Sequence, residues 1–218
     1  MASLRNEAAT RPRVAVVDYG SGNLRSVEKA LQAVGADSVR CARPDMIAGC
    51  EAIVLPGVGS FGDCAASLKE RGFTPSLREW LQSGRPYLGI CLGYQILFES
   101  SEESPGTKGL GHWPGRVVRF ASAPQRKVPH MGWNSLRWER PDGIFAGLPA
   151  QPYVFFVHSY YPAPQDQSIV TARCTYGADF AAASAEGNVH GVQFHPEKSQ
   201  LTGLNILSKF VGSLREED

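Results

Sequence analysis

Pro86-Tyr87-Leu88-Gly89-Ile90-Cys91-Leu92-Gly93-Tyr94-Gln95 is the stretch on which the architecture turns. A short apolar run of buried-strand character breaks at Gly89-Ile90-Cys91-Leu92-Gly93, and Leu92, Ile96 and Leu97 then recur at helical spacing. The pattern predicts strand, sharp turn, helix. Gly-x-Cys-x-Gly is the thiol counterpart of the Gly-x-Ser-x-Gly elbow, in which glycines relieve crowding around a strained residue that presents its side chain. Cys91 would then stand at a helix start, where unpaired N–H groups lower a thiol pKa that is otherwise ~8.5. Free cysteines are commonly small buried hydrophobes, and Cys41, Cys50, Cys64 and Cys174 carry no such context. The two glycines single out Cys91 as the candidate nucleophile.

Upstream of the elbow, strand and helix patterns alternate. Arg13 to Asp18 is an almost continuous run of β-branched residues, as in a strand covered on both faces. Tyr19-Gly20-Ser21-Gly22-Asn23 follows as a tight turn. It lacks the third glycine of a dinucleotide fingerprint, which would fall near Arg25. Leu24, Val27, Leu31 and Val34 mark one helix face, stopped at Gly35. Ser38 to Ala42 and Ala52 to Leu55 read as further strands, the latter entering Pro56-Gly57-Val58-Gly59-Ser60-Phe61-Gly62. Beside an elbow cysteine, that glycine-rich loop can aim N–H groups at the oxygen of a reacting carbonyl. Asp63 to Leu68 and Leu77 to Leu81 read as helices, with Pro75 near a start and Gly84 past an end. The alternation predicts an α/β fold: a mixed, largely parallel central sheet flanked by helices, with Cys91 at the carboxyl end of a strand.

After Glu99 the texture becomes β-rich: Arg116 to Phe120, Val128 to Trp138, Tyr153 to Tyr161, Ile169 to Tyr176, Phe180 to Ala185 and Asn188 to Phe194. Turn signals such as Glu186-Gly187-Asn188 suggest hairpins and an antiparallel β extension of the sheet. A closing helix is expected from about Gly203 to Leu214, with Leu204, Leu207, Phe210 and Val211 inward. One domain from 13 to 214 accounts for the chain, between loose tails at 1–12 and 215–218.

Hydrophobic content of 43% and a net charge of +1 give no bulk-charge reason to expect nucleic acid or membrane as a partner. No run reads as a signal peptide or bilayer span, and five cysteines without a Cys-x-x-Cys pair point to a reducing, cytoplasmic setting. Neither a metal nor a cofactor is expected.

A cysteine nucleophile needs a base. In Gln193-Phe194-His195-Pro196-Glu197-Lys198 a strand ends at a proline, and in an extended segment His195 and Glu197 would share a side. A carboxylate so placed fixes the imidazole tautomer and stabilises imidazolium. His112 and His190 have no companion acid at a useful spacing. His130 lies within Pro129-His130-Met131-Gly132-Trp133-Asn134, and His158 precedes Ser159-Tyr160-Tyr161.

Gly89-Ile90-Cys91-Leu92-Gly93-Tyr94-Gln95 and Gln193-Phe194-His195-Pro196-Glu197-Lys198-Ser199 resemble the two signatures of class I glutamine amidotransferases, and the likeness runs from about Arg13 to Ser213. The 56–62 loop, the 129–134 run and Phe156-Val157-His158-Ser159-Tyr160-Tyr161 narrow it to glutaminase subunits of imidazole glycerol phosphate synthase, in histidine biosynthesis. The resemblance implies hydrolysis of L-glutamine by a Cys91-His195-Glu197 triad. It implies oxyanion donors from Leu92 and from the Gly57-Val58 peptide once that peptide reorients, with Gln95 and the Ser159-Tyr160 backbone at the substrate's amino-acid end. It further implies a separate (β/α)8 cyclase that receives ammonia through an internal passage in a heterodimer. Gly20 to Asn23 (Gly22 and Asn23 above all), Trp133, Asn134 and Lys198 are the expected contact face. Tyr94, where Met is commoner, and His112-Trp113, where aliphatic residues are usual, depart from the pattern without removing a reacting group. Three alternatives stay open: a stand-alone cysteine hydrolase of γ-glutamyl substrates, the glutaminase subunit of another amidotransferase, and a catalytically silent binding subunit.

Overall fold

A computed structural model of the chain describes residues 11–124 and 126–215. Most of both expected tails therefore lies outside the described residues. The strands of the first half are β1 (Arg13–Val17), β2 (Asp37–Cys41), β3 (Ala52–Gly57) and β4 (Tyr87–Cys91); the helices are α1 (Leu24–Ala33), α2 (Phe61–Glu70), α3 (Phe73–Gln82) and α4 (Leu92–Gln95). Then come β5 (Phe98–Ser101), β6 (Trp113–Arg119), β7 (His130–Ser135), β8 (Arg137–Trp138), β9 (Tyr153–His158), β10 (Tyr160–Pro164), β11 (Val170–Thr175), β12 (Asp179–Glu186), β13 (Val189–Val192) and α5 (Gln200–Ser213).

The main sheet runs β2-β1-β3-β4-β13-β12-β11-β8. Its first five strands are parallel and the last three antiparallel, so it is mixed and largely parallel as the alternation predicted. Strand periodicity divides the core into two layers. Val14 and Val16 face one side, with Leu24, Val27 and Leu31 of α1 and Ile206, Leu207 and Phe210 of α5. Ala15 and Val17 face the other, with Leu68 of α2 and Leu77, Trp80 and Leu81 of α3. Helix ends follow local chemistry. Ser60 Oγ accepts from Asp63 N at 3.1 Å and starts α2, while Gly35, at φ +91°, closes the turn after α1.

Four expectations are corrected. The helix expected through Leu97 is a single turn, because the Ile96 and Leu97 carbonyls accept from Leu110 N (2.7 Å) and His112 N (2.8 Å), which diverts the chain into β5. The β-rich half does not all extend the main sheet: β10-β6-β5 and β7-β9 form two separate small sheets. The segment 153–161 is not one strand. It breaks at Ser159, between β9 and β10, and that break opens onto the site described next. In the closing helix Leu204 is only half-buried, and Ile206 takes the inward position expected of it.

Candidate active site

Cys91 sits where β4 turns abruptly into α4, with φ 55° and ψ −105°, a region L side chains rarely adopt and that costs about 1–3 kcal/mol. The glycines make that geometry feasible. A Cβ on Gly93 would lie 1.8 Å from the Leu55 carbonyl oxygen, and one on Gly89 would lie 2.4 Å from the Gly93 oxygen. Helix and strand thus touch backbone to backbone, and the side chain of Cys91 is pushed outward to the rim of the sheet. Because α4 is one turn long, the electropositive end reduces to the first N–H groups of that turn, Leu92's among them. Sγ lies 3.6 Å from Gln193 Nε2 and 3.9 Å from the Val157 oxygen.

His195 follows β13, which lies parallel to β4 with Val192 beside Ile90, so sheet pairing carries the imidazole to the cysteine from the far end of the chain. Its Nδ1 is 2.9 Å from Glu197 Oε1, with both side chains almost wholly buried. The pairing arises differently from the expected extended segment: Pro196–Lys198 is a 3-10 turn, and that turn brings Glu197 back under the ring. Burial disfavours charge on His195, but Cys91 and Glu197 outweigh it and raise its pKa to about 10. Nε2 is buried without a hydrogen-bond partner of good geometry, although the nearby Cys91 favours its protonation. Such an atom is placed to exchange a proton with a molecule entering the pocket.

That pocket, of about 300 Å³, is lined by Cys91, His195, Leu92, Gln95, Val58, Gly59, Ser159 and Tyr160, together with Glu103, Pro129, Val157 and His158. Gly57 lies behind it, directly opposite Cys91 in the β3–β4 register. A Cβ on Gly57 would approach Tyr19 Oη to 2.6 Å and Leu92 Cβ to 2.7 Å. Tyr19 Oη is itself buried without a partner, and burial pushes its pKa far up, so it stays neutral. Val58 is 41% exposed, and its carbonyl accepts from Ser21 Oγ at 2.8 Å, tying the glycine loop to the turn after β1. Gln95 Nε2 donates to Tyr160 O (2.9 Å) and Gln193 Oε1 (3.0 Å), which leaves Gln95 Oε1 as its remaining acceptor.

Of the other candidates, Asn23 and Lys198 are exposed and Gly22 partly so, Trp133 is 46% exposed, and Asn134 turns inward to His130 Nε2 (3.3 Å) and Thr175 O (3.1 Å). Tyr94 does not reach the pocket. Its hydroxyl meets Ser184 Oγ at 2.6 Å, and its ring occupies the space that a side chain on Gly191 would fill. Trp113 donates from Nε1 to Glu186 and packs edge-on against Tyr94 and at a tilt against Phe98 on the same inner side. The sequence alone assigns no role to Glu103, His158 or Gln193. His158 donates from Nδ1 to Tyr160 O at 2.8 Å and so offers Nε2 as acceptor to His130 Nδ1 at 3.0 Å, a neutral pair whose pKa values burial pushes down to about 3 and about 4. No spacing rule flags these residues; their proximity arises from the pairing of β13 with β4 and the break at Ser159.

Residues 15–213 match the family model "glutamine amidotransferase class-I". The chain is 48% identical over 197 residues to imidazole glycerol phosphate synthase subunit HisH of Desulfitobacterium hafniense, covering 90% of this chain and 92% of that one. It is 49% identical over 207 residues to the subunit of the same name from Synechocystis sp., covering 94% and 98%. Among solved structures, a glutamine amidotransferase superposes with a TM-score of 0.72 at 24% identity, covering 93% of this chain and 98% of that one. PurLQS from Thermotoga maritima gives 0.72 at 23%, covering 94% and 98%. These two likenesses speak to fold alone. Family model and curated relatives cover nearly the whole chain, which therefore belongs to the class I glutamine amidotransferases, among the HisH subunits of imidazole glycerol phosphate synthase.

Proposed function

We propose that this chain is the glutaminase subunit of imidazole glycerol phosphate synthase, and that Cys91, His195 and Glu197 release ammonia from L-glutamine in histidine biosynthesis. The observation that carries the reading is the convergence, in one pocket, of a strained elbow cysteine with an imidazole whose Nδ1 is bound to a carboxylate and whose Nε2 is unpartnered. Cys91 Sγ attacks the side-chain carboxamide carbon. His195 delivers a proton to the nitrogen as the C–N bond breaks, and ammonia leaves a γ-glutamyl thioester. Water then gives its proton to His195 and attacks; the C–S bond breaks with its electron pair to sulfur, freeing glutamate.

Leu92 N–H is the first oxyanion donor. The second is the N–H of the Gly57-Val58 peptide once it reorients, each donor lowering the barrier by about 3 kcal/mol. Gln95 Oε1 and the backbone of Ser159 and Tyr160 hold the amino-acid end of glutamine. Ammonia passes to a separate (β/α)8 cyclase. The exposed apolar side chains Met131, Trp133, Tyr153 and Leu201, with exposed Lys198, support a docking face, to which the resemblance also assigns the turn at Gly22-Asn23. Among the described residues no helix is long and apolar enough to cross a membrane.

The test is a glutaminase assay with and without the cyclase and its nucleotide ligand. Fast turnover only in the complex is the expected result; equal turnover by the isolated chain would instead indicate a stand-alone hydrolase of γ-glutamyl substrates.

A further inference from the structure

We infer that Gln193 is a positioning residue for the reaction: its side-chain N–H holds the Cys91 sulfur and favours sulfur in its anionic form. This deepens the glutaminase reading and rests on it. Gln193 stands one residue past β13, beside β4, and is wholly buried. A buried primary amide must bond at both ends or cost several kcal/mol. Here Nε2 donates to Cys91 Sγ at 3.6 Å and Oε1 accepts from Gln95 Nε2 at 3.0 Å.

The direction of this chain of bonds is fixed from outside. Tyr160 O is a carbonyl and can only accept, so the group of Gln95 that meets it at 2.9 Å is its NH2. The same NH2 meets Gln193, which must therefore turn its oxygen to Gln95 and its N–H to sulfur. A thiol is a weak acceptor and a thiolate a strong one, so the bond strengthens when sulfur is charged. That happens twice in the cycle: before attack on the carboxamide, and when the thioester C–S bond breaks with its electron pair returning to sulfur. Two amides thus tie the substrate-binding backbone at Tyr160 to the nucleophile.

The charged and titratable groups facing Cys91 are His195, backed by Glu197 in the turn after β13, Tyr19 after β1, His158 on β9 and Glu103 after β5. Of these, His195 is the group whose protonated form the sulfur favours.

The experiment follows Cys91 alkylation by iodoacetamide against pH, in wild type and in Gln193→Met, which keeps the volume and removes the donor. Cyclase-dependent glutaminase activity is measured alongside. Alkylation at pH 7 should slow about tenfold in the variant, with the deficit shrinking as pH rises, and kcat/KM should fall by a similar factor with KM little changed. Gln193→Glu, with an acceptor facing sulfur, should be slower still. A variant whose alkylation profile matches wild type while its activity falls would overturn the inference, since that is the signature of a merely structural residue. Should Gln193→Met not fold, the side-chain amide resonance of Gln193 in wild type decides: it should shift on alkylation of Cys91, and no shift would count against the bond. Loss of wild-type glutaminase activity itself would instead count against the glutaminase reading.

Discussion

Replacing Glu197 with glutamine keeps the volume behind His195 and removes the charge. Glu197 Oε1 accepts from Nδ1 at 2.9 Å, while Oε2 is buried with no partner. The substituted amide has two ways to sit. With oxygen toward Nδ1 it keeps the productive tautomer but strands its NH2 where Oε2 was, and it exchanges a charge-assisted bond of about 1.5–3 kcal/mol for a neutral one of about 1 kcal/mol. That difference, about 0.5–2 kcal/mol, alone slows the reaction roughly 2- to 30-fold. Flipped, it gives Nδ1 a donor, moves the imidazole proton to Nε2 and leaves no base for the reaction, an effect of up to about 10⁴. A loss of kcat/KM between about 10- and 1,000-fold is therefore expected in a cyclase-coupled glutaminase assay, against complete loss in Cys91→Ala.

Stability should report the same charge. Glu197 helps raise the His195 pKa, and a raised folded-state pKa stabilises the fold fully below the ordinary histidine value near 6.5 and progressively less as pH climbs toward about 10. The gap in urea midpoint between wild type and Glu197→Gln should thus be widest below pH 6.5 and narrow on the alkaline side. Equal activity losses in Glu197→Gln and Cys91→Ala, or no loss in the former, would refute an orienting role.

Other outcomes follow from the same geometry. Cys91→Ala should abolish glutamine use yet leave ammonia-dependent synthesis by the complex intact; losing both would contradict the division of labour. Gly93→Ala, whose Cβ meets the Leu55 oxygen at 1.8 Å, should cost about 3 kcal/mol or prevent folding, whereas Gly212→Ala on α5, with open space around it, should stabilise by about 0.5–1 kcal/mol in urea denaturation. His130 and His158, neutral through burial and mutual bonding, should show no NMR titration between pH 5 and 8. Their unfolded-state protonation should withdraw stability as pH falls from about 6.5 toward 4 and 3; a midpoint near 6.5 for either would show that the pair is not dry.

Periodicity and punctuation reach far into this molecule. The elbow was legible because glycine at 89 and 93 has a steric meaning that needs no partner strand, and α1 because Leu24, Val27 and Leu31 repeat at helical spacing. The extent of α4 was not legible. Leu92, Ile96 and Leu97 keep a helical period, and only the claim of residues 110–112 on the Ile96 and Leu97 carbonyls stops the helix. The His195–Glu197 pairing could be anticipated from spacing alone, although a 3-10 turn rather than an extended strand delivers it. Gln193, His158 and Glu103 remained hidden because their roles arise from long-range strand pairing, which leaves no local mark.

The central claim is that Cys91, served by His195, forms a covalent bond with the carbon that carried the glutamine nitrogen. Labelling the cyclase-bound protein with a glutamine-like diazoketone, followed by mass spectrometry, tests it most directly. One adduct on the Cys91 peptide, suppressed by excess glutamine and slowed in His195→Ala, is the predicted result; an unlabelled Cys91 in a sample whose glutaminase activity the reagent has abolished would contradict it.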